Sequence, residues 1–399
     1  MKHQKSKSIS IVFLADLHFG SRRDNANIYE SLQKCVYPYI SDTAPDLIVI
    51  GGDATDDRIS FDQLAARYYL RFLEDITSFK RYDKPNGCIP VRFIAGTESH
   101  EKGQLQALQF LTNNSGIDVK TFETVGEETI CGCRMLYIPE ESVDDKKQYY
   151  SSTVFNDGKV YDFVFGHGMF SFIGNNGWGV KERSLKGSPV WNAAEFEDKV
   201  RAGVFFGHIH IHQNYKDLIY YPGSLTRFCH GEEEPKGFYA IQYNPENGLK
   251  NVDFIENTWA YKYETIVLNG EDVEKDNPKD TIDSILMHKN ASAAYSLRVR
   301  ISNANKMSSN TQVVQQYFLQ KGRGLGVTIE LQSAVPNVGV SDIVKDGVVE
   351  HEVPEFAKGI TNPEDWQYNT VQYAKARYGK DISREQIQNM LMKCNSFGR

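Results

Sequence analysis

Several features are scarce or missing in this 399-residue chain, and each absence narrows what it can be. No run approaches the roughly 18 apolar residues of a membrane span, so no membrane association is expected. The six cysteines, at positions 35, 88, 131, 133, 229 and 394, lack the spacing of a disulfide framework. Cys131-Gly132-Cys133 is the only close pair, and a lone CxC reads as ordinary half-buried thiols. With no long apolar leader after Met1-Lys2-His3, the chain is expected in a reducing cytoplasm. There is no internal repeat and no Walker-type phosphate loop, which argues against hydrolysis of a nucleotide for energy. Positive charge is not in excess either: 45 Lys and Arg against 52 Asp and Glu give a net charge of −7. Any contact with nucleic acid must therefore be local.

What is present describes a folded protein with more than one part. A 40% hydrophobic fraction with 22 tyrosines and 22 phenylalanines can build cores, and the length exceeds what one core usually serves. Short apolar runs at 8–15, 46–50, 91–95, 135–138, 161–165, 203–206 and 218–221 end in glycine or polar clusters, as strands buried on both faces do. Helical patterns at 27–40 and 61–79 lie between the early runs, the second with Leu64, Tyr68, Phe72 and Ile76 as its apolar stripe. The class is α/β, with stacked sheets flanked by helices and loops gathered at strand C-terminal ends. After residue 258 a β-α-β-α-β pattern suggests a small α/β domain at 259–334, with helices at 281–288 and 311–320. A linker with a β-hairpin around Asp346-Gly347 follows at 335–360. Residues 361–399 read as two helices, at 362–379 and from 383 onward, with Pro363 at a first helical position and a Ser383/Gln386 capping box.

The chemistry lies in an ordered series of motifs, most of them closing an apolar run: Asp16-Leu17-His18, Gly51-Gly52-Asp53, Gly96-Thr97-Glu98-Ser99-His100-Glu101, Gly166-His167, Gly207-His208-Ile209-His210 and Tyr221-Pro222-Gly223-Ser224. Each is weak alone; the ordered set is not. Carboxylates and imidazoles brought from several strand ends can hold two divalent cations, which activate water and clamp a phosphoryl group. The i, i+2 spacing of Asp16 and His18, and of His208 and His210, would put each pair on one side of extended backbone. Oxygen and imidazole donors without thiolate suit manganese first, with magnesium, iron or zinc as other candidates. Asp56 is placed to support a ligand from behind.

This series resembles the calcineurin-like metallophosphoesterase superfamily. The segment from Tyr221 to Arg227, with Lys236-Gly237-Phe238 after it, resembles the SbcD-type nucleases of DNA double-strand-break repair. The resemblance covers about residues 8–255. It implies a four-layer α-β-β-α core of two packed mixed sheets, a small capping domain and a C-terminal helical tail. It further implies Asp16, His18 and His210 at one metal, His167 and His208 at the other, Asp53 bridging them, and His100 as the acid that protonates the leaving oxygen. One motif departs from the pattern. The family presents Gly-Asn-His-Asp where this chain has Gly96-Thr97-Glu98-Ser99-His100-Glu101, so the Asn ligand has no counterpart. Ser99 is the best-aligned substitute, with Thr97 and Glu98 as rivals.

The activity implied is a metal-dependent DNA exonuclease, 3′ to 5′, with endonuclease activity, acting as a homodimer beside an SMC-like ATPase of SbcC type docked on the tail. Arg22, Arg23 and Arg227 are candidates for holding DNA phosphates. Two alternatives stay open: a phosphomonoesterase or cyclic-nucleotide phosphodiesterase of the same superfamily, and a catalytically impaired structural subunit.

Overall fold

Apolar side chains recurring every second residue along short strands build this molecule in layers. On β1 (Ile9–Leu14), Ile11 and Phe13 face one way while Val12 and Leu14 face the other, and all four are buried. The same division runs through β2 (Leu47–Ile50) and β3 (Val91–Ile94). Strands buried on both faces need cover on both, which is why a two-layer arrangement cannot suffice. The computed structural model of the chain describes residues 8–21, 25–81, 87–101, 103–108, 117–173, 187–248, 250–269, 295–302, 327–331, 343–345 and 348–350.

Two mixed six-stranded sheets pack face to face. The first adds β4 (Val119–Phe122), then β11 (Gly237–Tyr243) and β12 (Lys250–Glu256), in the order β12-β11-β1-β2-β3-β4. Strands β1 to β4 run parallel, whereas β11 is antiparallel to both neighbours. The second sheet comprises β5 (Gly126–Ile130), β6 (Cys133–Ile138), β7 (Tyr161–His167), β8 (Val200–Gly207), β9 (Gln213–Tyr215) and β10 (Ile219–Tyr221), in the order β5-β6-β7-β8-β10-β9. Between the sheets lies an aromatic-rich core that includes Phe13, Tyr137, Phe163, Phe165, Phe205 and Tyr239. This is the α/β metallophosphoesterase-type core that the motif series implied.

The outer layers differ from each other. Helices α1 (Asn25–Ser31), α2 (Tyr37–Thr43) and α3 (Leu64–Ser78) cover the first sheet. A π turn at Leu32–Val36 joins the first two, and the Tyr37 N–H reaches the Leu32 carbonyl across it. Pro38 lacks the N–H an unbroken α-helix would use there, and a π turn absorbs that loss. The buried face of α3 is Ala65, Ala66, Tyr69, Phe72, Leu73 and Ile76, while Leu64 is largely exposed. The expected stripe through Leu64 and Tyr68 is thus rotated by one residue. Over the second sheet, the described residues supply only short turns, and Tyr150, Phe170, Trp191 and Phe196 do the covering.

The three strands expected after the core are present as a parallel sheet of β13 (Lys262–Asn269), β14 (Tyr295–Ser302) and β15 (Val327–Leu331). The chain divides into two compact units, Met1–Leu331 and Gln332–Arg399. In the second, β16 (Ile343–Lys345) and β17 (Val348–Glu350) pair antiparallel, as expected for the hairpin. The Asp346-Gly347 turn, the helices expected at 281–288 and 311–320, and both tail helices lie outside the described residues. No described helix is long and apolar enough to cross a membrane.

Candidate metal centre

Each candidate ligand stands where a strand ends. Asp16 and His18 follow β1, Asp53 follows β2, Thr97 to His100 follow β3, His167 closes β7, and His208 and His210 follow β8. The backbone there is not extended, as the i, i+2 argument required. Asp16, His18, Asp53 and His208 have φ of 56°, 53°, 50° and 96°. A non-glycine residue in this region costs on the order of 1–3 kcal/mol and persists only where its surroundings hold it. Here the hold is visible. The Asp16 and His18 amides donate to the carbonyls of Gly52 and Asp53, and the His208 amide donates to the Asp16 carboxylate at 2.9 Å. Left-handed turns rather than strand alternation aim these side chains.

They converge in three overlapping groups, one of which joins His18 and Asp53 to His100. Donor atoms of Asp16, His18 and His210 lie within 4.8 Å of one another, and so do those of Asp53, His167 and His208. Asp53 lies between them, its Oδ2 3.8 Å from His18 Nε2 and 3.4 Å from His167 Nε2. The Asp16 and His167 groups are the ones the family resemblance implies. Two glycines make the approach possible: a Cβ on Gly52 would strike the His167 ring, and one on Gly96 would strike the Asp53 carboxylate. His100 Nδ1 stands 2.7 Å from Asp53 Oδ2 with its side chain 34% exposed, so this ring borders the open side.

The donor set suits divalent cations on the geometry of the side chains themselves. His167 Nδ1–H donates to the Gly51 carbonyl at 2.8 Å, which leaves the lone pair on Nε2. That nitrogen is buried among the described residues without a hydrogen-bond partner, an arrangement normally costly and typical of a metal ligand. His18 Nε2 and His210 Nε2 face each other at 2.9 Å, a spacing fit for two donors to one cation. Burial, with His18 and Lys236 beside it, holds the His210 pKa well below the ordinary value, so the ring is held neutral, the form in which an imidazole ligates a metal. Burial opposes charge on His167 too, but Asp53, Asp16 and Glu140 outweigh it and raise its pKa to about 10. The pocket thus attracts positive charge. Burial raises Asp16 to about 6, whereas at Asp53 the imidazoles of His167, His100 and His18 overcome burial and hold the carboxyl well below its usual range.

The altered third motif forms a short turn of helix, α4 (Glu98–Glu101). Ser99 and Glu98 are exposed, and the buried residue of the three rivals is Thr97. The Thr97 amide donates to Asp53 Oδ1 at 2.7 Å, and its hydroxyl donates to Glu140 Oε2 at 2.8 Å. In this helical backbone Ser99 and His100 are rotated onto different faces. Glu101 is buried, accepting from the Ala54 and Gly96 amides at 2.9 Å each, so it clamps the Asp53 turn to the third motif. Burial and the neighbouring Asp53 raise its pKa to about 7. Neither Glu101 nor Glu140 stood out from the sequence as a site residue. Glu140 follows Pro139 at the end of β6, and a strand-end carboxylate after an apolar run was the signal available.

Supporting residues complete the picture. Asp56 Oδ1 lies 3.0 Å from His18 Nδ1, an ion-pair contact behind the ligand. The Tyr221–Lys236 segment braces His210: Lys236 Nζ is buried and donates to the His210 carbonyl at 2.8 Å and the Ser224 hydroxyl at 3.0 Å. Arg227 does not present a free fork to a phosphate. Its guanidinium donates to the Glu234 carbonyl at 2.9 Å and approaches those of Glu233 and Tyr261, tying this segment to the start of β13. Arg22 and Arg23 lie outside the described residues.

A family model described as calcineurin-like phosphoesterase matches residues 9–212, just over half of the chain. This chain belongs to that family. It is accordingly a phosphoester hydrolase of the metal-dependent kind, and the His and Asp groups above are its metal-binding candidates. A protein of Invertebrate iridescent virus 6 named "Putative phosphoesterase 244L" is 23% identical over 248 residues, covering 60% of this chain and 78% of its own. Among solved structures, a protein of unknown function from Aquifex aeolicus matches 39% of this chain and 76% of its own at 16% identity, with a TM-score of 0.21. That likeness adds nothing to the functional reading.

Proposed function

We propose that this family member cleaves phosphodiester bonds in DNA, as an exonuclease of 3′ to 5′ direction with endonuclease activity. The observation that carries this reading is the wall beside the metal centre. Phe228 packs edge-on against His18 at 5.2 Å, and the segment it belongs to runs on to contact β13 through His230 and Tyr263, whose rings are 5.0 Å apart. The three-stranded sheet that begins at β13 therefore starts from a segment beside the site. A small phosphoester needs no such extension, whereas a polymer running past the site could use one.

Two divalent cations held by the Asp16 and Asp53 groups would activate a water and draw charge from the phosphoryl oxygens. The chain's own residues supply the rest. Asp53 orients His100 through Nδ1, which leaves Nε2 to donate a proton to the departing oxygen as the P–O bond breaks. The ring, being partly exposed, then recovers a proton from solvent. Manganese is the metal proposed, from the oxygen and imidazole donors. A homodimer and an SMC-like ATPase bound to residues 361–399 belong to the same proposal and rest on the sequence.

The test is digestion of end-labelled duplex DNA with manganese, beside turnover of a small chromogenic phosphodiester. Wild type should shorten the DNA, and His100→Ala should lose about 10²–10⁴-fold in rate, as removal of a general acid does, while keeping its metal content. Small-substrate turnover far above any DNA cleavage would defeat the nuclease reading. Simultaneous loss of metal in His100→Ala would make that residue a ligand instead.

A further inference from the structure

The second ligand group has a gap. Asp53, His167 and His208 offer three donors, and protein sites for divalent cations usually take at least four ligands, counting water. None of the rivals Thr97, Glu98 and Ser99 serves well: two are exposed, and the Thr97 hydroxyl is committed to Glu140. Glu140 itself stands in the right place. Its Oε2 lies 3.4 Å from His208 Nδ1 and 3.8 Å from His167 Nε2, with both its side chain and that of His167 wholly buried. His167 Nε2 has no hydrogen-bond partner among the described residues. The Glu140 carboxyl group and the His167 nitrogen are buried together, and Asp53 Oδ2 lies 3.4 Å from the same nitrogen, so the three present donors that one cation could share.

We propose that Glu140 is a ligand of the second metal, filling the coordination position that the third motif leaves unassigned. The inference rests on the two-metal reading of the centre. Thr97 then plays a different part, because its hydroxyl proton points at Glu140 Oε2 and fixes how the carboxylate is presented. As a ligand Glu140 would bring a second carboxylate, so the position would carry Asp53 and Glu140 with two imidazoles. That charge should favour a hard divalent cation such as manganese.

Manganese binding to the full chain, measured by calorimetry with metal content read after desalting, tests this without recourse to activity. Wild type should bind two ions. Glu140→Met, similar in length but without a donor, should retain one, and Glu140→Gln should keep an oxygen donor and bind the second ion roughly 10- to 100-fold more weakly. Ser99→Ala should bind both as wild type does. Two ions at wild-type affinity in Glu140→Met would overturn the assignment. If that variant fails to fold, unchanged affinity for both ions in Glu140→Gln would overturn it equally, and loss of the second ion in Ser99→Ala would return the position to Ser99. Fewer than two ions on wild type would instead defeat the two-metal reading itself. Thr97→Val separates ligand from positioning: it should weaken the second ion less than Glu140→Met does.

Discussion

Two clusters of buried charge sit in the same core, one around Arg92 and one at the histidine–carboxylate centre, and they differ in how far the chain satisfies them. Arg92 projects from β3 toward the second sheet and is almost fully buried, yet each arm has a partner. Its Nε meets Glu128 at 2.6 Å and its Nη1 meets Asp118 at 2.9 Å, while Tyr137 and Lys120 also donate to Glu128. At the metal centre, the Nε2 atom of His167 is buried without a hydrogen-bond partner among the described residues, and four residues hold left-handed backbone. Both clusters were placed by neighbouring strands. A fold that closes every bond around Arg92 can do the same elsewhere, so the open valences at the strand ends mark where something else must bind.

The sharpest way to break this contrast is to remove metal. Chelation should abolish phosphoester hydrolysis and lower the thermal midpoint, since an ion at 100 times its Kd contributes about 2.7 kcal/mol to the folded state. Returning manganese should restore both. A midpoint indifferent to chelator would mean that the open valences are satisfied in some other way. Next in size is a cut at the closed cluster. Arg92→Met leaves Glu128 and Asp118 facing a buried apolar side chain, and breaking a buried pair from one side costs about 3–5 kcal/mol. Denaturant unfolding should register that loss in metal-free and metal-loaded protein alike. A loss seen only in the loaded protein would tie Arg92 to the metal centre and collapse the distinction.

Sequence alone revealed more of the centre than of its surroundings, and the reason is physical. Asp16, His18, Asp53, His167, His208 and His210 were legible because each interrupts an apolar run with a metal-binding side chain, and the structure does bring them together. The two sheets were legible for the same reason, through strands such as Leu47–Ile50 that are buried on both faces. The edge strands were not. Gly126–Ile130 and Lys250–Glu256 are partly exposed and carry no continuous apolar run to mark them. Glu101 and Glu140 escaped, and Thr97 stood only as a rival to Ser99, because their roles depend on contacts across 40 or more residues of sequence or on a turn of helix. An acidic residue after Pro139 carries no such information until β6 is set beside β7. Proximity to the site in sequence suggested a phosphate contact for Arg227, and the contacts of its guanidinium with the carbonyls of Glu233, Glu234 and Tyr261 had no signal in the sequence.

The smallest effect expected concerns how the closed cluster responds to acid. Burial would raise the Glu128 pKa, but Arg92 and then Lys120 and Tyr137 hold it below the ordinary value of 4.5. A carboxyl depressed on folding stabilises the native state above its unfolded pKa, and that contribution disappears as pH falls through the folded value. The unfolded chain takes up the proton first, so stability should begin to decline near pH 4.5 and go on declining below it. Glu128→Gln removes the titrating group and should flatten that part of the curve in metal-free protein, where the histidine centre contributes no bound cation. If wild type and variant lose stability with the same slope below about pH 5, Glu128 is not held in its charged form by Arg92. The closed cluster would then be closed in geometry alone.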